Sequence, residues 1–178
     1  MHASEDIWRG AAPFSVRRDH ISAPRREERF ARLVLDHPGA SVVLAVDDDE
    51  RALVLHQYRH PARTRFVELP AGLLDAGEDP LVAARRELRE EALLEAGTWT
   101  HLLTTYPSPG LSSERMELYL ARDLSPAPDR GGFVPDHEEA DMTLEWVPVP
   151  DLVEGVLARR LTDGPLALAV LAYALRHR

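Results

Sequence analysis

One stretch of the chain constrains its fold more than any other: Gly72 to Glu91, reading GLLDAGEDPLVAARRELREE. Asp79 is placed as a helix N-cap and Pro80 as the first helical residue, where a missing N–H costs nothing. The sequence predicts a helix from Pro80 to about Ala96, ended by Gly97. At about 100° per residue, Arg86, Glu87, Glu90 and Glu91 share an arc of roughly 140°. Leu81, Ala84, Leu88 and Ala92 gather on the other side. Glu87 and Glu91 stand one above the other, and such like-charge pairs cost an isolated helix about 0.2–0.5 kcal/mol each. Hard divalent cations give such a cluster a purpose, since Mg²⁺ prefers carboxylate oxygens. A solvated face, offset by Arg85, Arg86 and Arg89, is the alternative that the helix alone leaves open.

The segments around this helix outline a layered domain. Phe14–Ile21 and Glu28–Asp36 read as extended. Ser41–Val46 and Arg51–Tyr58 are apolar and partly alternating, and the turn Asp47–Glu50 between them predicts a hairpin. Phe66–Leu69 is a short strand stopped by Pro70. Thr98–Tyr106, Met116–Ala121 and Thr143–Val149 read as further strands. Arg122–His137 reads as a Pro/Gly/Asp-rich loop, and Asp151–Arg160 and Pro165–Arg176 as helices with apolar stripes. Strands, one central helix and C-terminal helices predict an α+β or α/β/α layered domain.

Composition narrows the function classes. The chain has 178 residues and no cysteine, which removes disulfides, thiolate metal sites and a cysteine nucleophile. A formal net charge of −9 disfavours duplex nucleic acid, whose phosphates demand a basic surface. A local arginine cluster could still receive a small anion. Pro165–Leu175 is too short to span a bilayer, and Met1–Arg18 has no signal-peptide core. A cytoplasmic protein without membrane or nucleic-acid partners is the expectation.

The spacing within the acidic segment gives a resemblance. Gly72, five residues, Glu78, seven residues, Arg86-Glu87, Leu88, one residue and Glu90-Glu91 resembles the signature of the Nudix hydrolases, and Glu68-Leu69-Pro70-Ala71 completes an ELPAG form found in that family. The usual Gly two residues after the Glu pair is replaced here by Leu93, which the helix is expected to run through. The resemblance implies Glu87 and Glu91 as principal Mg²⁺ or Mn²⁺ ligands and Glu90 as a further one. It implies a backbone carbonyl from Ala71 or Gly72, and an ion pair between Arg86 and Glu78 holding loop to helix.

Three segments outside the signature resemble the ADP-ribose pyrophosphatase subgroup, most closely its actinobacterial form. Gln57-Tyr58-Arg59 implies that Arg59 contacts the diphosphate, with Glu68 on the same substrate side. Ser108-Pro109-Gly110-Leu111-Ser112-Ser113-Glu114 implies substrate contacts at Gly110 and Glu114. His137-Glu138-Glu139-Ala140-Asp141 implies Glu139, or else Glu138, as metal ligand or general base. The implied reaction is metal-dependent hydrolysis of ADP-ribose to AMP and ribose 5-phosphate. Another nucleoside diphosphate sugar, a dinucleotide, or a non-catalytic nucleotide-sensing role remain alternatives. Residues 1–40 resemble the subgroup's dimerisation segment, which implies a homodimer with residues 41–178 as the Nudix domain, and Trp8 could stack on an adenine.

Overall fold

The computed structural model describes residues 2–10, 13–23, 28–134 and 141–177. Its centre is a four-stranded mixed sheet in the order β7-β4-β9-β8. The strands are β4 (Ala40–Ala45), β7 (Ala71–Leu73), β8 (Leu94–Thr105) and β9 (Met116–Pro126). β4 runs parallel to β9, and the other pairs are antiparallel. Every residue of β4 is buried, as expected for a continuous apolar strand covered on both faces.

Alternation along β4 divides the core. Val42, Leu44 and Val46 point to one side, into a cluster with Leu152, Leu166, Val170 and Tyr173. These come from α2 (Val149–Leu157) and α3 (Gly164–Arg176). Val43 and Ala45 point to the other side, onto Ala84, Leu88 and Ala92 of α1 (Pro80–Ala92). The result is the α/β/α layering that the sequence predicts. A second sheet, β10-β5-β6, is built from β5 (Arg51–Arg59), β6 (Thr64–Glu68) and β10 (Thr143–Pro148). Among the described residues no helix is long and apolar enough to cross a membrane.

A third sheet, β1-β2-β3, comprises β1 (Ala3–Arg9), β2 (Ser15–Ser22) and β3 (Arg29–Asp36). β1 escapes the sequence reading because its seven residues are all exposed, so no apolar alternation marks it. The sheet is tied to the rest of the molecule through β3, where Leu35 N–H donates to Leu111 O and Ser113 N–H to Leu35 O.

Two expectations need correction. The chain does reverse at Asp47–Glu50, with Asp47 N–H donating to Arg51 O at 3.0 Å, but β4 and β5 are not a hairpin. They belong to different sheets and share one bridge, Val46–Ala52. Both edges of β4 are already taken by β7 and β9. The helix also ends sooner than predicted. Leu93 adopts a left-handed conformation (φ 54°, ψ 37°) and closes α1 with its N–H bonded to Arg89 O and Leu88 O. Gly97 lies inside β8 instead, and β9 continues to Pro126, through the first part of the expected loop.

Candidate active site

The local sequence builds the site from a capped helix and a short strand laid across it. Asp79 caps α1, its carboxylate accepting from Leu81 N–H at 2.9 Å and Val82 N–H at 3.3 Å. With Ala84, Leu88 and Ala92 turned into the core, Arg86, Glu87, Glu90 and Glu91 line a cleft of about 580 Å³. β7 runs along this face. Ala71 N–H donates to Glu91 Oε2 at 2.9 Å, and Arg86 donates to Leu73 O at 3.1 Å. Gly72 lies directly against Glu87: a Cβ there would stand 1.8 Å from Glu87 Oε1.

Arg86 organises the acidic face. It holds Glu78 through Nε–Oε1 at 3.1 Å and Nη2–Oε2 at 3.0 Å, and its Nη1 donates to Glu87 at 2.5 Å and Glu90 at 3.2 Å. Glu78 also accepts from Asp75 N–H at 3.0 Å, closing the loop before the helix. The Arg86 contact holds the Glu78 carboxyl below the usual glutamate range. The guanidinium is in turn pushed further above its ordinary value, first by Glu78 and then by Glu87.

The other wall is built from the last residues of β5 and β6 with the start of α3. Arg59 Nε and Nη2 donate to Glu68 at 2.7–3.2 Å, and Glu68 is 7% exposed. That fork contact occupies one edge of the guanidinium, leaving Nη1 and the second Nη2 hydrogen for a ligand. Asp163 and Pro165 complete this wall. Asp163 caps α3, accepting from Leu166 N–H at 2.8 Å. Sequence reasoning passed over it: an Asp before Gly-Pro is an ordinary cap, and only the fold turns this cap toward Arg59.

Comparison with known proteins decides the family. The NUDIX domain model matches residues 35–166. The chain belongs to the Nudix family. It is 40% identical to an ADP-ribose pyrophosphatase of Mycobacterium tuberculosis over 171 residues, covering 96% of this chain and 80% of that protein. It is 33% identical to a methanol dehydrogenase activator of Bacillus methanolicus over 179 residues, covering 98% and 94%. Its fold matches the crystal structure of an ADP compounds hydrolase with a TM-score of 0.74 at 21% identity, over 99% of this chain and 93% of that one.

The Nudix helix offers an all-oxygen donor set suited to a hard divalent cation. Glu87 and Glu91 are 8% and 6% exposed, and burying carboxylates is costly unless cations or N–H groups meet them. Among the described residues, no three acidic or histidine side chains converge on one point. Arg86 bridges Glu87 to Glu90, and Glu91 is turned to the Ala71 N–H. Glu87, Glu90 and Glu91, which line the cleft, are the residues that would hold such a cation.

The remaining sequence candidates are divided. Glu114 lines the cleft, with its N–H bonded to Ser112 Oγ. Gly110 does not; it lines a separate pocket with Arg32 and Leu33. Glu138 and Glu139 lie outside the described residues. The segment leading to them is tied to the Nudix helix: Arg89 donates to Asp129 O at 3.0 Å, Arg130 donates to Glu90 O and Glu91 O, and Phe133 lines the cleft. Trp8 is 48% exposed and packs on Phe14 with ring centroids 6.1 Å apart, while Pro13 reaches the cleft rim.

Proposed function

We propose that this Nudix protein is a cytoplasmic hydrolase that cuts ADP-ribose into AMP and ribose 5-phosphate with Mg²⁺ or Mn²⁺. The observation that carries the reading is the facing of two walls across one cleft. Glu87, Glu90 and Glu91 stand on one side, and Arg59, aimed by Glu68, on the other. Similarity to the Mycobacterium tuberculosis enzyme over nearly the whole chain supports the choice of substrate.

A bound divalent cation would screen the diphosphate and make a coordinated water more acidic. In this reading Glu87, Glu91 and Glu90, with the Ala71 carbonyl, hold the cation. Arg59 anchors the diphosphate through the N–H groups that Glu68 leaves free. Arg86 and Glu78 fix the loop over the helix. Glu139, or Glu138, takes the proton of the attacking water. The water oxygen bonds to one phosphorus, the bridging P–O bond breaks, and both products leave as phosphomonoesters. Glu114 touches the substrate from the third side of the cleft.

Turnover with Mg²⁺ on ADP-ribose, GDP-mannose, NADH, diadenosine polyphosphates and 8-oxo-dGTP tests this choice. ADP-ribose is expected to give the highest kcat/KM, and negligible turnover beside a better substrate overturns it. The name of the Bacillus methanolicus relative favours a second, regulatory reading. Glu91→Gln separates the two: hydrolysis should fall at least a hundredfold, because a metal carboxylate is lost. Hydrolysis at the parent rate would sink the metal assignment.

The same reading makes residues 1–40 a dimerisation segment. β1 is exposed along its length, and Ile7, Trp8 and Leu33 of the first sheet are 46–53% exposed. Sedimentation should report a dimer that Trp8→Arg with Leu33→Arg converts to a monomer. A monomeric parent would refute it.

A further inference from the structure

Arg59, Glu68 and Asp163 line the α3 side of the cleft together. Glu68 binds Arg59 directly, whereas Asp163 spends its cap bond on Leu166 N–H. Asp163 is held in place by its cap bond: Oδ2 accepts from Leu166 N–H, and its carboxylate takes no other hydrogen bond from a described residue. With both acids ionised the trio carries one net negative charge; with Asp163 protonated it is neutral. A diphosphate arriving at Arg59 brings further negative charge into a partly desolvated corner. Crowding of like charges there favours the protonated acid.

We propose that Asp163 takes up a proton when a diphosphate docks on Arg59, so that the protonation of this side chain sets substrate affinity. The inference rests on the reading above that Arg59 receives the diphosphate. Burial pushes the Asp163 carboxyl up to about 6; Glu68 adds to the rise, while the Leu166 N–H and Arg59 oppose it. The free protein at neutral pH therefore holds Asp163 largely ionised, within a small free-energy step of protonation.

The other charged groups around α3 do not compete for this role. β4 brings no charged side chain. On β6, Arg65 is exposed, as are Asp151, Glu154, Arg159 and Arg160 on and after α2. The β9 group Arg122 and its partner Glu50 meet α3 at Tyr173, about 15 Å along the helix from Asp163 at 1.5 Å per residue. His101 of β8 meets it only by its carbonyl, at Arg176. Across the cleft, Glu91 acts on Arg59 and belongs to the carboxylate set assigned to the cation.

The test is calorimetric binding of the α,β-methylene analogue of ADP-ribose at saturating Mg²⁺ and pH 7, in two buffers of different ionisation heat. Asp163→Asn is the comparison, because Asn is an equally good N-cap and keeps the start of α3 intact. The parent should take up most of one proton more than the variant. Its affinity should weaken by up to about tenfold per pH unit above pH 6. Asp163→Asn should show a flatter profile and bind more tightly than the parent at pH 8. Equal proton counts and equal pH slopes in the two proteins overturn the proposal. If the ADP-ribose analogue fails to bind while ADP or GDP-mannose binds, the substrate choice falls, and the proton count is made with the diphosphate that does bind. If no diphosphate binds, both readings fall together.

Discussion

Gly72 and Glu87 occupy one another's space: the Glu87 carboxylate crosses the Gly72 Cα so closely that a Cβ would meet Oε1 at 1.8 Å and the carboxyl carbon at 2.1 Å. The obstructing atoms are the far end of a flexible side chain, so Gly72→Ala should fold. Its melting temperature should fall by no more than a few degrees, roughly 1 kcal/mol of stability. The Glu87 carboxylate, however, is moved from its place against Gly72 in the cleft. Mg²⁺ affinity, measured by titration against activity, should weaken tenfold or more. Parental Mg²⁺ dependence in Gly72→Ala would show that the placing of Glu87 by Gly72 is irrelevant to metal use.

Arg59 and Glu68 make a paired prediction. Arg59→Lys keeps the charge but loses the planar fork that Glu68 aims. KM for ADP-ribose should rise on the order of ten- to a hundredfold, a loss of about 1.4–2.8 kcal/mol. Glu68→Gln leaves the guanidinium present but unaimed, and KM should rise less than in Arg59→Lys. Steady-state kinetics that show the reverse order would remove Glu68 from its role as positioning residue.

Leu93 stands in a left-handed conformation that disfavours side chains with a Cβ, costing about 1–2 kcal/mol. Glycine relieves that strain at some entropic cost in the unfolded chain. Leu93 is 37% exposed, so the buried part of its side chain offsets some of that gain. Leu93→Gly should therefore raise stability by about 0.5–1 kcal/mol, or roughly 1–4 °C in a chain of this size. A lower melting temperature would mean that the Leu93 side chain contributes more packing than its exposure indicates.

The Glu78–Arg86 pair gives a pH signature. Arg86 holds the Glu78 carboxyl below its ordinary value of 4.5, so the unfolded state binds that proton first as pH falls. The pair's contribution is thus fully present above about 4.5 and is lost as pH drops through the lower folded value. Glu78→Gln should cost on the order of 1 kcal/mol at pH 7. The gap between the two urea midpoints should narrow below pH 4. A gap that stays constant down to pH 3 would show that the charge of Glu78 does not stabilise the loop.

Much of this molecule is legible in its sequence where the controlling physics is local. The Asp79-Pro80 cap, the helical spacing of Glu87, Glu90 and Glu91, and the reach of Arg86 to Glu78 all lie within one turn-and-helix segment. The covered strand β4 is announced by its unbroken apolar run. β1 was not legible, because a strand exposed on both faces carries no alternation.

Capping, helical period and apolar patterning act between neighbours in the chain, so the acidic helix, its loop and the α/β/α class follow from local sequence alone. Tertiary structure alone decided three things. It sent β4 and β5 to different sheets, because pairing depends on which strand edges remain free once β7 and β9 have docked. It ended α1 at Leu93, where the chain must turn at once into β8, and packing outweighed the helical preference of leucine. It also carried Asp163, an ordinary helix cap by sequence, to the wall of the cleft beside Arg59 and Glu68. That meeting joins residues about a hundred positions apart, and no local rule reaches so far.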